Sequence, residues 1–305
     1  MSVIDEAPHI PPETAMPHAA LQPGAVAVIT GGASGIGLAA ARRFAALGLT
    51  VCIADLGADR LEQAVRTIRS EAVMGADVIA IETDVSDRAA LENLERSVAG
   101  RLGGTDVLMN NAAIQIATDA IGSGEDWRRL MAVNLWGVID GSQVFAPNMI
   151  ARARPGLIIN TGSKQGITTP PGNPAYNVSK AGVKTYTEAL EHQLRNTRDC
   201  HVSAHLLIPG YVFTGLTAGG RTEKPAAAWS AEQTVDFMLE RLTFGDFYIL
   251  CPDNDVHREL DEKRIAWAAG DIINNRPPLS RWHPEYTALF EAFVAGDSED
   301  QGRDA

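Results

Sequence analysis

The sequence of 305 residues indicates an α/β fold, in which a parallel sheet is covered by helices on both faces. Short apolar runs of strand length alternate with longer segments of helical periodicity along most of the chain. Within the runs, apolar residues follow one another with little polar alternation, which is typical of strands buried on both faces. A glycine-rich turn joins the first run to the first helical segment, as in doubly wound sheets. We therefore predict a doubly wound, seven-stranded parallel sheet with right-handed crossovers.

Each predicted strand corresponds to one apolar run. In chain order, the runs are 25–29, 50–54, 78–83, 105–110, 156–161, 202–208 and 247–251. The first helix is predicted from Leu38 to Leu47, because Gly48 follows as a stop signal. After the seventh strand, helical patterns return over 255–269 and 284–295.

The predicted organisation has four parts. They are a flexible or surface-wrapping arm at 1–21, a single sheet domain at 22–254, a helical extension packed on it at 255–295, and an acidic tail at 296–305. Trp267 and Trp282 fall in the extension. They either rim a substrate pocket, pack against a neighbouring subunit, or anchor the extension on its own core.

Composition excludes several classes of function. The net charge is −12 and no block of Lys or Arg offers a phosphate footprint, so we expect no nucleic-acid partner. No apolar stretch has the length of a membrane span or a signal sequence, so we expect a cytoplasmic protein with no membrane contact. The three widely spaced cysteines are interpreted as reduced packing residues. His257 and His283 are isolated, and no metal is assigned.

The glycine-rich turn spans residues 30–37 and follows the first buried strand directly. Glycines at this place let the backbone turn sharply and approach a pyrophosphate, which then sits at the N-terminus of the next helix. The pattern predicts a Rossmann-type dinucleotide site. Its candidate residues in the turn are Gly31, Ser34, Gly35, Ile36 and Gly37.

Asp55 ends the second predicted strand, about 20 positions beyond the glycines. A carboxylate there accepts hydrogen bonds from an adenosine ribose and repels the extra phosphate of NADP. Neither Ser34 nor Leu56 supplies a cation to offset that repulsion, and Arg60 is interpreted as a solvated helix residue. The sequence therefore predicts NAD as the cofactor.

Tyr176 and Lys180 lie four residues apart in a segment of helical pattern, so both side chains project from one face. A phenol titrates near a pH of about 10, and a cation one turn away favours the phenolate and lowers that pKa. Such a pair is suited to proton transfer with an alcohol or a ketone.

Several further motifs follow in a fixed order along the chain. They are Asn110-Asn111-Ala112-Ala113, Asn134, Ser163, Tyr176-x-x-x-Lys180 and Pro209-Gly210. With the glycine-rich turn, this order resembles the short-chain dehydrogenase/reductase family in its shorter, non-extended branch, over roughly residues 22–252. Two departures are Ala113, where the family usually has glycine, and Phe247 to Asp253, where an Asp-Gly-Gly motif usually stands.

The resemblance implies roles for individual residues. Ser163 would hydrogen-bond the substrate oxygen, Lys180 would also bind the nicotinamide ribose, and the backbone carbonyl of Asn134 would fix a water in a proton relay. The remaining cofactor contacts implied are Asp84 and Val85 at the adenine, with Asn111, Pro209, Gly210 and Thr214. Structural alternatives stay open: a strand-end cap for Ser163, a helix-bending polar residue for Asn134, a half-buried aromatic for Tyr176, and an N-cap near Arg88 for Asp84.

Two expectations concern the substrate. The segment from Gly215 to Ala228 is rich in small residues and is either a lid that closes over the substrate or a plain surface loop. A mostly apolar pocket is expected from Ile114, Ile116, Thr168, Pro170, Pro171, Val212, Phe213 and Leu216.

We therefore predict an NAD-dependent oxidoreductase that interconverts a secondary alcohol and a ketone, with Tyr176 as general acid and base. One alternative is an NADPH-dependent ketoreductase, and another is a catalytically silent NAD-binding regulator. The resemblance also implies a homo-oligomer, either a tetramer or a dimer, with one interface along the apolar segment from Trp136 to Met149.

Overall fold

The computed structural model describes residues 16–73 and 75–296, and it contains one parallel sheet. The strands are β1 (Val26–Thr30), β2 (Thr50–Asp55), β3 (Val78–Glu82), β4 (Val107–Asn110), β5 (Gly156–Thr161), β6 (Val202–Ile208) and β7 (Tyr248–Leu250). Their order is β3-β2-β1-β4-β5-β6-β7, and every neighbouring pair is parallel. This architecture confirms the predicted doubly wound α/β fold.

Helices connect the strands and cover both faces. They are α1 (Gly35–Ala46), α2 (Ala58–Arg69), α3 (Arg88–Leu102), α4 (Gly124–Met131), α5 (Gly137–Ala151), α6 (Gln165–Thr168), α7 (Pro174–Arg195), α8 (Ala231–Thr243), α9 (Arg258–Ile273) and α10 (Thr287–Ala295). A π-helical turn, Ala132–Trp136, joins α4 to α5, and 3-10 turns at Ser280–Trp282 and Pro284–Tyr286 precede α10. Within the described ranges, no helix combines the length and apolar character needed to cross a bilayer.

Both faces of the sheet are buried, which explains the unbroken apolar runs. Ala27 and Ile29 of β1 pack in the cluster formed with α1, α2 and α8. Val26 and Val28 alternate with them and pack in the cluster formed with α3, α5 and α7. Successive side chains of a strand point to opposite faces, so a strand covered on both sides needs apolar residues at every position.

The order of the strands reverses at β1: the chain first adds β2 and β3 on one side of β1, and then β4 to β7 on the other side. In such sheets, the crevice beyond the carboxyl ends of the strands at this reversal is where ligands bind. The glycine-rich turn leaves β1 at that point, and the segment after β4 faces it.

The described part of the N-terminal arm packs on the domain. The backbone N–H of Met16 donates to the carbonyl of Thr243 at 3.0 Å, and Ala20 is buried. The Nε2 atom of His18 lies 3.0 Å from the hydroxyl of Ser203. The rest of the predicted arm, and the acidic tail beyond Gly296, lie outside the described residues.

The C-terminal extension is built around Trp267. Its ring packs against Phe290 and Phe293 of α10, and its Nε1 donates to the hydroxyl of Ser280 at 2.8 Å. Trp267 is therefore the internal anchor of the extension, and it does not line the main cavity. Trp282 is partly exposed and stacks with the guanidinium of Arg281.

Candidate active site

A cavity of about 300 Å³ opens at the carboxyl ends of the strands. Most of the predicted site residues line it: Gly31, Ser34, Gly35, Ile36, Asp55, Asp84, Val85, Asn111, Ser163, Tyr176, Lys180, Pro209, Gly210 and Thr214. Gly31 and Thr214, which are about 180 positions apart in the sequence, thus line one cavity. Gly37 and Asn134 are not part of the lining.

The glycine-rich turn is packed too closely for side chains. Gly31 has a φ of 65°, and a Cβ there would lie 2.8 Å from the Cα of Ala112. A Cβ on Gly37 would lie only 2.2 Å from the carbonyl oxygen of Gly31. Ser34 precedes α1 in an extended conformation, and its side chain makes no cap. The first N–H groups of α1 are therefore left without intrahelical partners at the cavity, where an anion would find donors.

Asp55 is held in place by its own neighbours. One carboxylate oxygen accepts from the N–H of Ala33 in the glycine-rich turn at 3.0 Å. The other accepts from the N–H of Leu56 at 2.8 Å and from the guanidinium of Arg60 at 3.0 Å. The expectation for Arg60 needs correction, because this side chain lines the cavity and pairs with Asp55 although about half of it is exposed. Asp55 ends β2 and Arg60 lies in the first turn of α2, so the short connection between the two elements brings them together.

Asp84 also differs from one expectation. The N-cap of α3 is Asp87, whose carboxylate accepts from the N–H of Ala89 at 2.9 Å. Asp84 instead accepts from the N–H and the hydroxyl of Ser86, at 2.9 and 2.7 Å. The N-cap interpretation of Asp84 was therefore wrong, because the chain makes an additional turn before the helix begins.

Asn111 joins the turn after β1 to the end of β4. Its backbone N–H donates to the hydroxyl of Thr30 at 3.0 Å, and its side-chain amide donates to the carbonyl of Gly31 at 3.3 Å. These bonds fix the floor of the cavity between the two strands that flank the topological reversal.

Asn134 lies in the π-helical turn and is fully buried. Its side chain makes a pair of bonds with one residue: the carbonyl oxygen accepts from the N–H of Ile114 at 2.8 Å, and the amide donates to the carbonyl of Ile114 at 2.9 Å. This side chain therefore clamps the segment after β4 against the helix. Single π-helical turns inside α-helices are frequent at functional sites.

Lys180 is completely buried one turn after Tyr176 on α7. Its ammonium donates to the carbonyl of Thr161 at 2.8 Å and lies 5.8 Å from the centre of the Tyr176 ring. Burial lowers the pKa of Lys180 to about 8. Burial also raises the pKa of Tyr176, and the neighbouring Ser163 hydroxyl opposes that shift. This differs from the expected lowering of the Tyr176 pKa by Lys180, because desolvation of the phenolate is the larger effect.

Ser163 follows β5, and its hydroxyl accepts from the N–H of Gln165 at 3.1 Å. This bond closes the turn after the strand, and it is compatible with a role of Ser163 at the cavity. Gly166 of α6 lies against the backbone of α7, since a Cβ there would be 2.5 Å from the carbonyl carbon of Lys180. This close contact sets the position of Ser163 relative to Tyr176.

The segment after β6 supplies the remaining lining residues of the cavity. Thr214 lies over the glycine-rich turn, because a Cβ on Gly35 would be 3.1 Å from its methyl group. The backbone N–H of Thr214 donates to the hydroxyl of Thr217, another lining residue that the sequence analysis did not single out. Of the expected apolar pocket residues, Ile114, Val212 and Leu216 line the cavity. The others, Ile116, Thr168, Pro170, Pro171 and Phe213, are outside its lining.

The residues fit a dinucleotide. The turn is kept free of side chains where a pyrophosphate would approach, the N-terminus of α1 offers donors, and Asp55 lies beside the adenosine end. Among residues 16–73 and 75–296, no group of three or more His, Cys, Asp or Glu side chains is arranged to hold a metal ion.

Comparisons with known proteins agree with this geometry. A sequence profile described as short chain dehydrogenase matches residues 25–225. The chain is 30% identical over 265 residues to the 1-deoxy-11-beta-hydroxypentalenate dehydrogenase of Streptomyces exfoliatus, covering 84% of this chain and 93% of that protein.

Two solved structures extend the comparison. A short chain dehydrogenase/reductase from Burkholderia phymatum in complex with NAD is similar with a TM-score of 0.75 and 31% identity, covering 84% of this chain and 96% of the other. An alcohol dehydrogenase from Thermococcus sibiricus, complexed with 5-hydroxy-NADP, gives a TM-score of 0.64 and 26% identity over 72% and 90% of the two chains. The chain thus belongs to the short-chain dehydrogenase/reductase family of oxidoreductases acting on CH–OH groups.

Proposed function

We propose that this protein interconverts a secondary alcohol and a ketone, using NAD(H), with Tyr176 as the general acid and base. One observation supports the proposal above all: Ser163, Tyr176 and Lys180 line the same cavity as the glycine-rich turn and Asp55. A bound nicotinamide would supply the hydride chemistry, and the chain's own residues would position the substrate and move the proton.

The proton is exchanged at the phenolic oxygen of Tyr176. Burial raises the pKa of this phenol, so it is protonated at neutral pH and ready to donate to a ketone oxygen during reduction. In the oxidation direction the same oxygen takes the proton of the alcohol. Ser163 stands beside it to hydrogen-bond the substrate oxygen, and the buried cation of Lys180 favours the anionic form of the phenol.

NAD is the proposed cofactor because Asp55 presents a carboxylate where the adenosine ribose would lie. Arg60 makes the preference weaker than the sequence alone implies, since its guanidinium partly offsets the charge that would repel the phosphate of NADP. The similar structures include one with NAD and one with an NADP derivative. We therefore propose a preference for NAD that is modest in size.

The proposed substrate is an uncharged alcohol or ketone of largely apolar character. The lining includes several uncharged apolar or small residues: Ala113, Ile114, Gly162, Val212 and Leu216. Lys180 is the one charged side chain that the described segments after β5 contribute to the lining, and its ammonium is already bonded to a carbonyl. A substrate carboxylate or phosphate would thus be desolvated without a free partner.

The decisive experiment is a panel of secondary alcohols and ketones, followed by nicotinamide absorbance with each cofactor. Tyr176→Phe should abolish turnover and leave NADH binding nearly unchanged, because it removes a proton donor with little change of shape. Wild-type protein that binds NADH but turns over no member of a broad panel would favour the silent regulator. Substantial turnover by the Phe variant would contradict the role of Tyr176.

We further propose a homo-oligomer, either a tetramer or a dimer. Trp136 of the π-helical turn and Val178 of α7 are about half exposed, and the turn and the helix pack against one another. A second copy of the chain would cover them. Light scattering that gives the mass of a monomer at micromolar concentration would refute this.

A further inference from the structure

Lys164 directly follows Ser163 but takes no part in the lining of the cavity. Its ammonium pairs with Asp261 of α9 at 2.6 Å and with Asp253, just after β7, at 3.4 Å. Both carboxylates are almost fully buried, and Lys164 itself is only 16% exposed. The three side chains therefore connect the loop after β5 to the C-terminal extension beneath the surface.

The same network also touches the loop after β6. Asp253 accepts from the backbone N–H of Tyr211 at 3.1 Å, and the backbone N–H of Lys164 donates to the carbonyl of Pro209 at 3.2 Å. A Cβ on Gly210 would lie 2.6 Å from a carboxylate oxygen of Asp253 and 2.9 Å from the ammonium of Lys164. The network thus lies directly against the backbone of both loops that contribute to the lining of the cavity.

The ammonium of Lys164 lies between two buried carboxylates, so its removal leaves both of them without their shared partner. Burial raises the pKa of Asp261, and Lys164 and Arg264 act against that rise. Buried ion pairs generally stabilise a fold no better than well-packed apolar residues, whereas removal of one partner leaves an uncompensated charge. A network of this kind is therefore better explained by the geometry that it enforces than by the stability that it adds.

We propose that Lys164 is a positioning residue, which fixes the Ser163 and Gly210 loops to one another and to α9 through Asp253 and Asp261. The proposal rests on the proposed function, because those two loops are the catalytic wall. The C-terminal extension is then part of the catalytic unit: α9 holds the far end of the link, while α6 holds Ser163 against α7.

The test compares Asp261→Asn with Glu262→Gln, its neighbour on α9. Glu262 is 56% exposed and pairs with the similarly exposed Arg258, so its substitution serves as the matched control. We expect Asp261→Asn and Lys164→Met each to lower kcat by about tenfold, because either change breaks the link between the two loops. The loss should be the same at every pH, because neither change alters the protonation of Tyr176. The KM for NAD should change less than kcat, because the network touches the cofactor contacts Pro209 and Gly210 but not the glycine-rich turn or Asp55.

A second readout does not require turnover. Amide hydrogen exchange in residues 163–168 and 209–213 should become faster in Asp261→Asn and stay unchanged in Glu262→Gln. The double variant Lys164→Met/Asp261→Asn should be no slower in turnover than the worse single variant, because both changes break one link. Lys164→Arg should keep more activity than Lys164→Met and provides a test if the latter fails to fold.

Several results would overturn the proposal. If Asp261→Asn has the same kcat and the same amide hydrogen exchange as the wild-type protein, the link positions nothing. A loss of kcat that matches the loss of NADH-binding sites would show that the network only stabilises the fold. If wild-type protein has no dehydrogenase activity, the proposed function fails, whereas hydrogen exchange still decides whether the link holds the two loops.

Discussion

Replacing Lys180 with methionine should abolish turnover and yet make the protein more stable at neutral pH. Lys180 is a cation with 2% relative exposure that donates to the carbonyl of Thr161, and it pairs with no carboxylate of the described residues. Methionine fills a similar space without the charge. The substitution therefore separates the catalytic role of the ammonium from the cost of burying it.

The magnitude follows from the pKa of Lys180, which burial lowers from 10.5 to about 8. At neutral pH the protein folds with this ammonium charged, and the shift corresponds to about 3 kcal/mol of unfavourable free energy. The variant also loses the hydrogen bond to Thr161 and leaves a buried carbonyl unpaired, which costs about 1–2 kcal/mol. The expected net gain is about 1–2 kcal/mol, or a rise in Tm of about 2–4 °C.

The pH dependence gives the stricter test. Because the pKa of Lys180 is lower in the folded protein, the unfolded chain holds more protons between about pH 8 and pH 10.5. Wild-type stability should therefore rise with pH in this window relative to Lys180→Met, and the advantage of the variant should shrink.

Thermal and denaturant unfolding at pH about 7 and about 9.5 measures this difference. Lys184→Met is the matched control, because Lys184 lies one turn further along α7 and forms a partly exposed pair with Glu188. Its substitution should change stability by less than about 1 kcal/mol and leave turnover intact. A variant at Lys180 that is less stable than wild type at neutral pH would refute the reasoning.

Three further predictions concern the glycine-rich turn, cofactor choice and the N-terminal arm. Gly37→Ala should weaken NADH binding by about 100-fold, because the new Cβ would meet a carbonyl oxygen at 2.2 Å. Gly100→Ala is the control and should bind normally, since a Cβ there would have open space. Equal titration curves for the two variants would contradict this prediction. Arg60→Ala should increase the preference for NADH over NADPH by about three- to tenfold in direct titrations, since it removes the cation beside Asp55. An unchanged ratio of the two dissociation constants would show that Arg60 has no role in cofactor choice. Burial, then the nearby imidazole of a second histidine, lower the pKa of His18 to about 4, so the arm should loosen as pH falls from 6.5 towards 4, by about 2 kcal/mol at pH 5. Limited proteolysis measures that loosening, and a His18→Asn variant with the same pH dependence would exclude His18 as its source.

The sequence by itself was sufficient for the sheet, and most of the residues that it singled out line one cavity. Unbroken apolar runs predict strands that are buried on both faces, and β5 and β6 have the bounds that their runs indicated. The glycines of residues 30–37 and the spacing of Tyr176 and Lys180 are local patterns, and local geometry fixes what they can do. The ends of some elements differ from those predicted: α9 begins at Arg258 rather than at 255, because the backbone of His257 is still extended.

Contacts between residues far apart in the chain were decided only by the tertiary structure. The packing that buries Tyr176 raises its pKa, whereas a sequence shows only the cation one turn away. The ion pairs that join Lys164 to Asp253 and Asp261 bridge about 90 residues or more, and nothing in their spacing predicts them. Charge, desolvation and close backbone approach depend on distance in space, and distances between residues far apart in the chain are set by the tertiary packing.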